Sequence, residues 1–131
     1  MTDLSVSQLR SLSGAQLNAL DDAKLQAVDI TSLENSQIAA LTMTKVADAQ
    51  VTAMTASQTR AMTTTQIQAL SASQVAAISA SNMGELTLEQ VGAFTYTQLQ
   101  SLTSPGTNMT DDQKDVLAST LTQVEYDQIF P

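Results

Sequence analysis

Residues 63–78 read TTTQIQALSASQVAAI, which is two copies of one eight-residue pattern. Each copy begins with Ser or Thr, carries Gln at its fourth position, and has an aliphatic residue at its fifth and eighth positions. The general form is [Ser/Thr]-x-x-Gln-[Leu/Ile/Val]-x-[Ala/Ser]-[Leu/Ile/Met]. Its copies, with Asp replacing Ser or Thr at residue 21, occupy 5–12, 13–20, 21–28, 55–62, 63–70, 71–78, 79–86, 87–94 and 95–102. A fixed period sustained over this length indicates a repeat protein.

The first and fourth positions together form a helix-start signal. A Ser or Thr hydroxyl accepts a hydrogen bond from the backbone N–H three residues later, while the Gln side chain reaches back to the N–H of the first residue. The pattern therefore predicts a helix of about two turns in every unit. It predicts helix breaks at Ser13, Asp21, Thr63, Ser71, Ser79, Thr87 and Thr95. In the alternative, one continuous helix, the apolar stripe would rotate by about 80° per repeat and leave no constant face to bury.

The remaining positions predict how the units face one another. Positions 5 and 8 form the core, the small residues at position 7 permit close approach of a neighbouring helix, and the variable positions 2 and 6 are expected to face solvent. A candidate interaction face follows from these variable positions: Arg10, Arg60, Gln68, Tyr96 and Gln100. The expected fold is all-α, a solenoid of short capped helices with three or four helices per superhelical turn.

Two segments depart from the pattern. Residues 29–41 and 42–54 are thirteen residues long and align with each other, with good caps only at Asp29 and Thr42. Because Glu34 and Ala47 are poor caps, these segments predict two longer helices, at about 30–41 and 43–54. We expect one domain over 1–131, with the array at 5–102, a loop at 103–109 containing Pro105, and a C-terminal capping region at 110–131.

Composition excludes several classes of function. The 131 residues carry a net charge of −8, and their five Lys and Arg residues form no patch, so we expect no nucleic-acid partner. No apolar run is long enough to predict membrane insertion. The chain has no His and no Cys, which removes the usual nucleophile–base pairs and zinc sites. We therefore expect no enzyme activity, no cofactor and no metal site.

Three acidic pairs remain as the only candidates for cation binding or acid–base chemistry. They are Asp21–Asp22, Asp111–Asp112, and Glu125 with Asp127. None matches a calcium-binding loop. The first two pairs are explained as favourable charges in the first turns of helices.

The string at 69–78, ALSASQVAAI, and its copies resemble the ALTTxQIxALT repeats of large bacterial secreted or surface-associated proteins. The resemblance covers most of 5–102 and implies an extracellular setting. The N-terminus lacks a basic and apolar leader, so an uncleaved secretion route is expected, with a cytoplasmic location as the alternative. The function expected is a non-enzymatic structural protein that self-associates or joins another surface protein. The alternative is a scaffold that binds a protein or glycan through positions 2 and 6.

Overall fold

The computed structural model describes residues 4–102 and 108–131, and these residues form helices and turns without a β-strand. The α-helices are α1 Val6–Ser11, α2 Gly14–Asn18, α3 Asp22–Gln26, α4 Asn35–Ala40, α5 Asp48–Ala53, α6 Ala56–Ala61, α7 Thr64–Ala69, α8 Ala72–Ala77, α9 Ala80–Glu85, α10 Leu88–Gly92, α11 Tyr96–Leu99, α12 Asp111–Thr120 and α13 Gln123–Ile129. Two 3-10 helices, η1 Ile30–Ser32 and η2 Met43–Lys45, precede α4 and α5 respectively.

The predicted helix breaks are confirmed. Each of the seven residues named above is an N-cap in extended conformation, and its side chain accepts a hydrogen bond from the backbone N–H three residues later. At Thr63, for example, the Gln66 N–H donates to the Thr63 hydroxyl at 3.1 Å, and the Gln66 side chain accepts from the Thr63 N–H at 2.9 Å. Most helices span positions 2 to 7 of the unit, and the residue at position 8 is the C-cap.

The two longer helices predicted at about 30–41 and 43–54 are wrong. Each segment is divided into a 3-10 turn and a two-turn α-helix, and the α-helices begin after Glu34 and Ala47. Neither of these caps makes a side-chain cap hydrogen bond. A Gln three residues later supplies the other half of the box, since Gln37 and Gln50 accept from the Glu34 and Ala47 N–H groups at 2.8 and 3.0 Å. Each thirteen-residue segment is therefore a five-residue unit followed by an eight-residue unit.

Packing follows one rule from α1 to α11: each element contacts the element three places later, and α12 contacts α10. This rule sorts the elements into three columns. Column A contains α1, η1, α5, α8 and α11; column B contains α2, α4, α6 and α9; column C contains α3, η2, α7, α10 and α12. Three consecutive elements, one from each column, make up what we call a layer, and the first layer is α1, α2 and α3.

The core lies where the three columns meet and consists of Leu, Ile, Val and Met side chains, with Phe94 among them. Position 5 is buried in every eight-residue unit from 5 to 102, and Thr59 is its one polar member. The buried methionines are Met43, Met54, Met62, Met83 and Met109, as their place in aliphatic positions predicts. The predicted loop at 103–109 lies mostly outside the described residues, and α12 and α13 occupy the predicted capping region.

Candidate functional site

The glutamine at position 4 connects successive layers through both atoms of its side-chain amide. In unit 63–70, the Oε1 atom of Gln66 accepts from the N–H of Thr63 at the start of its own helix. Its Nε2 atom donates to the carbonyl oxygens of Ile38 at 2.8 Å and Leu41 at 2.7 Å. Those carbonyls end a helix of the preceding layer, where helical carbonyls lack partners within the helix. One side chain therefore satisfies the start of one helix and the end of another.

This arrangement recurs in every layer after the first. The Nε2 atoms of the buried glutamines donate to helix-terminal carbonyls that lie 22 to 31 residues earlier in the chain. The glutamines are Gln37, Gln50, Gln58, Gln66, Gln74, Gln90, Gln98 and Gln113. Within 4–102 and 108–131, no buried side-chain nitrogen or oxygen lacks a hydrogen-bond partner. Because a buried amide destabilises the fold when it is unpaired, this complete pairing lets glutamines line the interior between layers.

Position 6 carries a second set of contacts between layers, running towards the C-terminus. The side chains of Asn18, Thr52 and Arg60 donate to the carbonyls of Ala40, Ala77 and Glu85 at 2.8, 2.9 and 2.8 Å. Arg10 and Gln26 make equivalent bonds to Ser32 and Lys45. Each acceptor is the residue before a C-cap in the same column. Arg10, Gln26, Thr52 and Arg60 are exposed, as predicted for position 6, and Asn18 is half-buried. Their polar groups also bond to the next layer, which the sequence did not predict.

The structure does not bring the predicted interaction residues to one surface. Arg10 lies in column A, Arg60 in column B and Gln68 in column C, while Tyr96 and Gln100 lie in column A near the C-terminal end. Arg10 and Arg60 are held by carbonyls of the next layer, and the Tyr96 hydroxyl donates to the Gln128 side chain. Gln68 and Gln100 have exposed side chains.

The acidic pairs take part in local helix contacts. Asp21 caps α3 by accepting from the Lys24 N–H at 2.9 Å, and this bond, aided by the Lys24 ammonium, holds the pKa of Asp21 below its ordinary value. Asp22 lies 3.7 Å from the Lys45 ammonium, and Asp111 lies 3.7 Å from that of Lys114.

At the C-terminal pair, the Glu125 carboxylate accepts from the Thr122 N–H at 2.9 Å, and Asp127 accepts from the Gln123 amide at 2.8 Å. Among the described residues, no three acidic side chains are grouped where they could hold a metal ion.

The first layer exposes the groups that later layers bury. Its position-4 residues, Gln8, Gln16 and Lys24, are all exposed. The Oε1 atoms of Gln8 and Gln16 each accept from their own cap at 2.8 Å, while their Nε2 atoms donate to no residue that the structure describes. Its position-8 residues are only half-buried (Leu12, Leu20 and Val28), whereas position 8 is buried in every later eight-residue unit up to Phe94.

An open groove of about 620 Å³ lies at this end of the array. Its apolar wall includes Leu4, Val6, Leu9, Leu20 and Val28, and its polar rim is made by Asp21, Lys24 and Asp29. We call this surface, the groove together with Gln8 and Gln16, the N-terminal face. Val6, which is 48% exposed, is one of three exposed large hydrophobic residues in the described ranges, and the others are Leu88 and Val124.

The opposite end exposes a second apolar surface. Leu102 and the C-cap residues Leu121 and Phe130 are half-buried, and the rings of Phe130 and Tyr126 pack with their centroids 4.8 Å apart. Val124, at the start of α13, is 67% exposed. We call these five residues the C-terminal face. The sequence predicts a polar capping region here, and the charged residues of α12 and α13 lie beside these apolar side chains.

No helix in the described parts of the chain is long and apolar enough to cross a membrane. No protein-family model matches the chain, and no curated protein or solved structure matches it.

Proposed function

We propose that the chain is a non-enzymatic structural protein whose short helices wind into a solenoid of three elements per turn, and whose copies associate through the ends of that solenoid. From α1 to α11, the contact of each element with the third element after it supports the three-element turn. The amide bonds from position 4 support the same winding, because they run 22 to 31 residues back along the chain, to the end of a helix in the preceding layer.

The observation that carries the self-association proposal is the contrast between interior and terminal layers. Position-8 side chains are buried from Leu41 to Phe94, but half-buried at Leu20, Leu102 and Leu121. Fully burying an aliphatic side chain stabilises a structure by roughly 1.5–3 kcal/mol. Several incompletely buried side chains at each end therefore provide a driving force for stacking, and repeat arrays need polar terminal units to suppress it.

A cell-surface or extracellular setting, reached by an uncleaved secretion route, belongs to the same proposal. It is supported by the low proportion of charged residues, 14%, and by the resemblance of 69–78 to repeats of bacterial surface-associated proteins. Immunodetection on intact source cells and in their medium, compared with the cytosol, tests this setting; a signal confined to the cytosol contradicts it.

The alternative, a scaffold that binds a protein or glycan through positions 2 and 6, has weaker support. Its best candidates, Arg10, Arg60 and Tyr96, already bond to other parts of the chain, and they lie in different columns or at opposite ends. A partner binding to them would have to compete with these contacts.

Sedimentation equilibrium of the pure chain over a wide concentration range tests self-association. The proposal predicts that the weight-average mass rises above the 13.9 kDa monomer with concentration, without approaching a fixed small multiple. A constant monomer mass up to millimolar protein contradicts it.

A further inference from the structure

We infer that the N-terminal face of one copy docks on the C-terminal face of a second copy, head to tail, with the same bonds that join interior layers. This inference rests on the proposed self-association and adds the partner surface, the polarity and the residues that make the contact. Three features of the two faces support it: their hydrogen-bonding groups, one lysine, and their apolar side chains.

The hydrogen-bonding groups of the two faces are complementary. Interior position-4 amides donate to the terminal carbonyls of a preceding helix, as Gln66 donates to Ile38 and Leu41. At the N-terminal face, the Nε2 donors of Gln8 and Gln16 are exposed and donate to no residue that the structure describes. At the other end, the carbonyl of Leu121, the C-cap of α12, has no partner among the described residues. One end thus offers amide donors, and the other offers a helix-terminal carbonyl of the kind that interior amides bind.

Lys24 extends this complementarity, because it occupies position 4 of the third unit in place of Gln. A lysine can perform the amide's task in this fold, since Lys45 donates from its ammonium group to the carbonyls of Asn18 at 2.8 Å and Leu20 at 2.9 Å. The Lys24 ammonium lies 3.1 Å from the Asp21 carboxylate, but this ion pair is exposed, so the ammonium can also approach the acidic opposite end. The segment 108–131 carries one lysine and five acidic residues: Asp111, Asp112, Asp115, Glu125 and Asp127.

The apolar parts of the two faces belong to different elements. The N-terminal face is a groove, with Val6 and Leu20 in its wall. The C-terminal face exposes Val124, and its half-buried Tyr126 and Phe130 rings pack against the core. A contact between unlike faces is heterologous, so it leaves one free face at each end of any assembly and continues as a filament unless the rotation closes a ring.

Three aspartate substitutions test the polarity of the contact. Val6→Asp and Val124→Asp place a carboxylate on one face each, while Leu88→Asp places one on the side of the array as the matched control. All three residues are exposed and lie in the first turn of a helix, where an acidic side chain is tolerated or favourable. We expect Val6→Asp and Val124→Asp each to weaken association roughly tenfold or more, since the carboxylate would be desolvated without a partner. Leu88→Asp should associate as the unchanged chain does.

Mixing the two face variants gives the sharpest readout. Head-to-tail docking leaves Val6→Asp with an intact C-terminal face and Val124→Asp with an intact N-terminal face. The mixture should therefore form one-to-one dimers with the affinity of the unchanged chain, at a protein concentration where each variant alone is monomeric. Circular dichroism of each variant checks that its helices are retained.

The double variant Gln8→Glu, Gln16→Glu tests the hydrogen bonds separately. Glutamate keeps the oxygen that accepts from each cap, as Glu125 does for Thr122 at 2.9 Å, but it removes the amide donor. We expect association to weaken by roughly tenfold or more, with unchanged helicity.

The other outcomes overturn the inference in distinguishable ways. A monomeric unchanged chain contradicts the proposed function itself. Association that is lost in Leu88→Asp but retained in both face variants indicates lateral contacts, which preserves the proposed function and overturns the docking. Dimers of Val124→Asp alone, with no gain on mixing, indicate head-to-head contact between N-terminal faces and also overturn it. So does unchanged association of the double glutamate variant.

Discussion

Replacing Gln by Glu at position 4 should change the free energy of unfolding in opposite directions at Gln66 and Gln16. Both glutamines accept from the N–H of their own cap, at 2.9 Å for Thr63 and 2.8 Å for Ser13. Glutamate preserves this acceptor at either site. The two sites share the cap bond and differ in burial and in what the amide nitrogen does, so the pair separates the contact between layers from the cap of the helix.

The loss of unfolding free energy expected for Gln66→Glu follows from the contacts of Gln66. Gln66→Glu removes two hydrogen bonds, to Ile38 and Leu41, which together contribute about 2 kcal/mol. It also directs a carboxylate oxygen at these two carbonyls in a site that is only 7% exposed. An unpaired buried polar group costs a further 1–3 kcal/mol or so, giving a total destabilisation of about 3–5 kcal/mol. At Gln16 no bond is lost, and the charge in the first turn of α2 should stabilise by about 0.3–1 kcal/mol at low ionic strength.

Urea unfolding followed by circular dichroism, at dilute protein so that association does not contribute, measures both free energies. Acidification adds a second readout, because protonation of the introduced carboxylate restores one donor to the two carbonyls that it faces. The deficit of Gln66→Glu relative to the unchanged chain should therefore shrink as the pH is lowered. Equal effects at Gln66 and Gln16, or a deficit that is independent of pH, would refute the assignment of the amide as the link between layers.

Three further perturbations test other features of the array. Thr63→Ala should destabilise by about 0.5–2 kcal/mol in urea unfolding because it removes a cap, whereas in a continuous helix it would stabilise slightly. Gly14→Ala should lower the melting temperature despite the better helix propensity of Ala, because the new Cβ would lie 2.2 Å from the Cβ of Ala40. Gly92→Ala is the control and should not lower the melting temperature, because its new Cβ would have its nearest contact at 3.4 Å. For Asp21, whose folded pKa is lowered by its cap bonds, the contribution to stability is complete above the unfolded pKa and lost as the pH falls through the folded one. Asp21→Asn should therefore make stability less dependent on pH below about pH 4, and an unchanged acid profile would contradict this.

The sequence was sufficient for the local features of the fold. A cap and its box involve residues three apart, and all seven predicted breaks depend on such contacts, as at Thr63 and Gln66. The assignment of positions 5 and 8 to the core is likewise a consequence of helical periodicity. The division at Glu34 and Ala47 was missed because the prediction weighted the identity of position 1. The Gln–aliphatic pairs at residues 37–38 and 50–51 were the better signal, since the Gln forms half of the box whatever residue it caps.

The contacts between layers could not be predicted in the same way. Gln98 donates to carbonyls 28 to 31 residues earlier, and Gln50 to carbonyls 22 and 25 residues earlier. These distances depend on how many units make a turn and on the two five-residue units, and neither follows from the pattern of a single repeat. The candidate interaction residues were scattered for the same reason, because Arg10 and Arg60 share position 6 of their units but belong to different columns.

Some units of the repeat carry a residue other than glutamine at position 4, and these natural replacements show which contacts the position makes. Asn82 is one carbon shorter and keeps only a bond to the carbonyl of Met54, at 2.7 Å, while the box at its own cap is incomplete. Of the two contacts, Asn82 therefore retains the link to the preceding layer. Lys45 likewise keeps only the link, to the carbonyls of Asn18 and Leu20. In the first layer, where no described layer precedes, Gln8 and Gln16 keep only the cap bond and Lys24 replaces the amide, and in α13 Glu125 keeps the cap bond and has no amide donor. Glutamine is therefore the side chain that joins a helix both to its own start and to the end of an earlier helix, and Asn82, Lys45 and Glu125 each keep one of these two contacts.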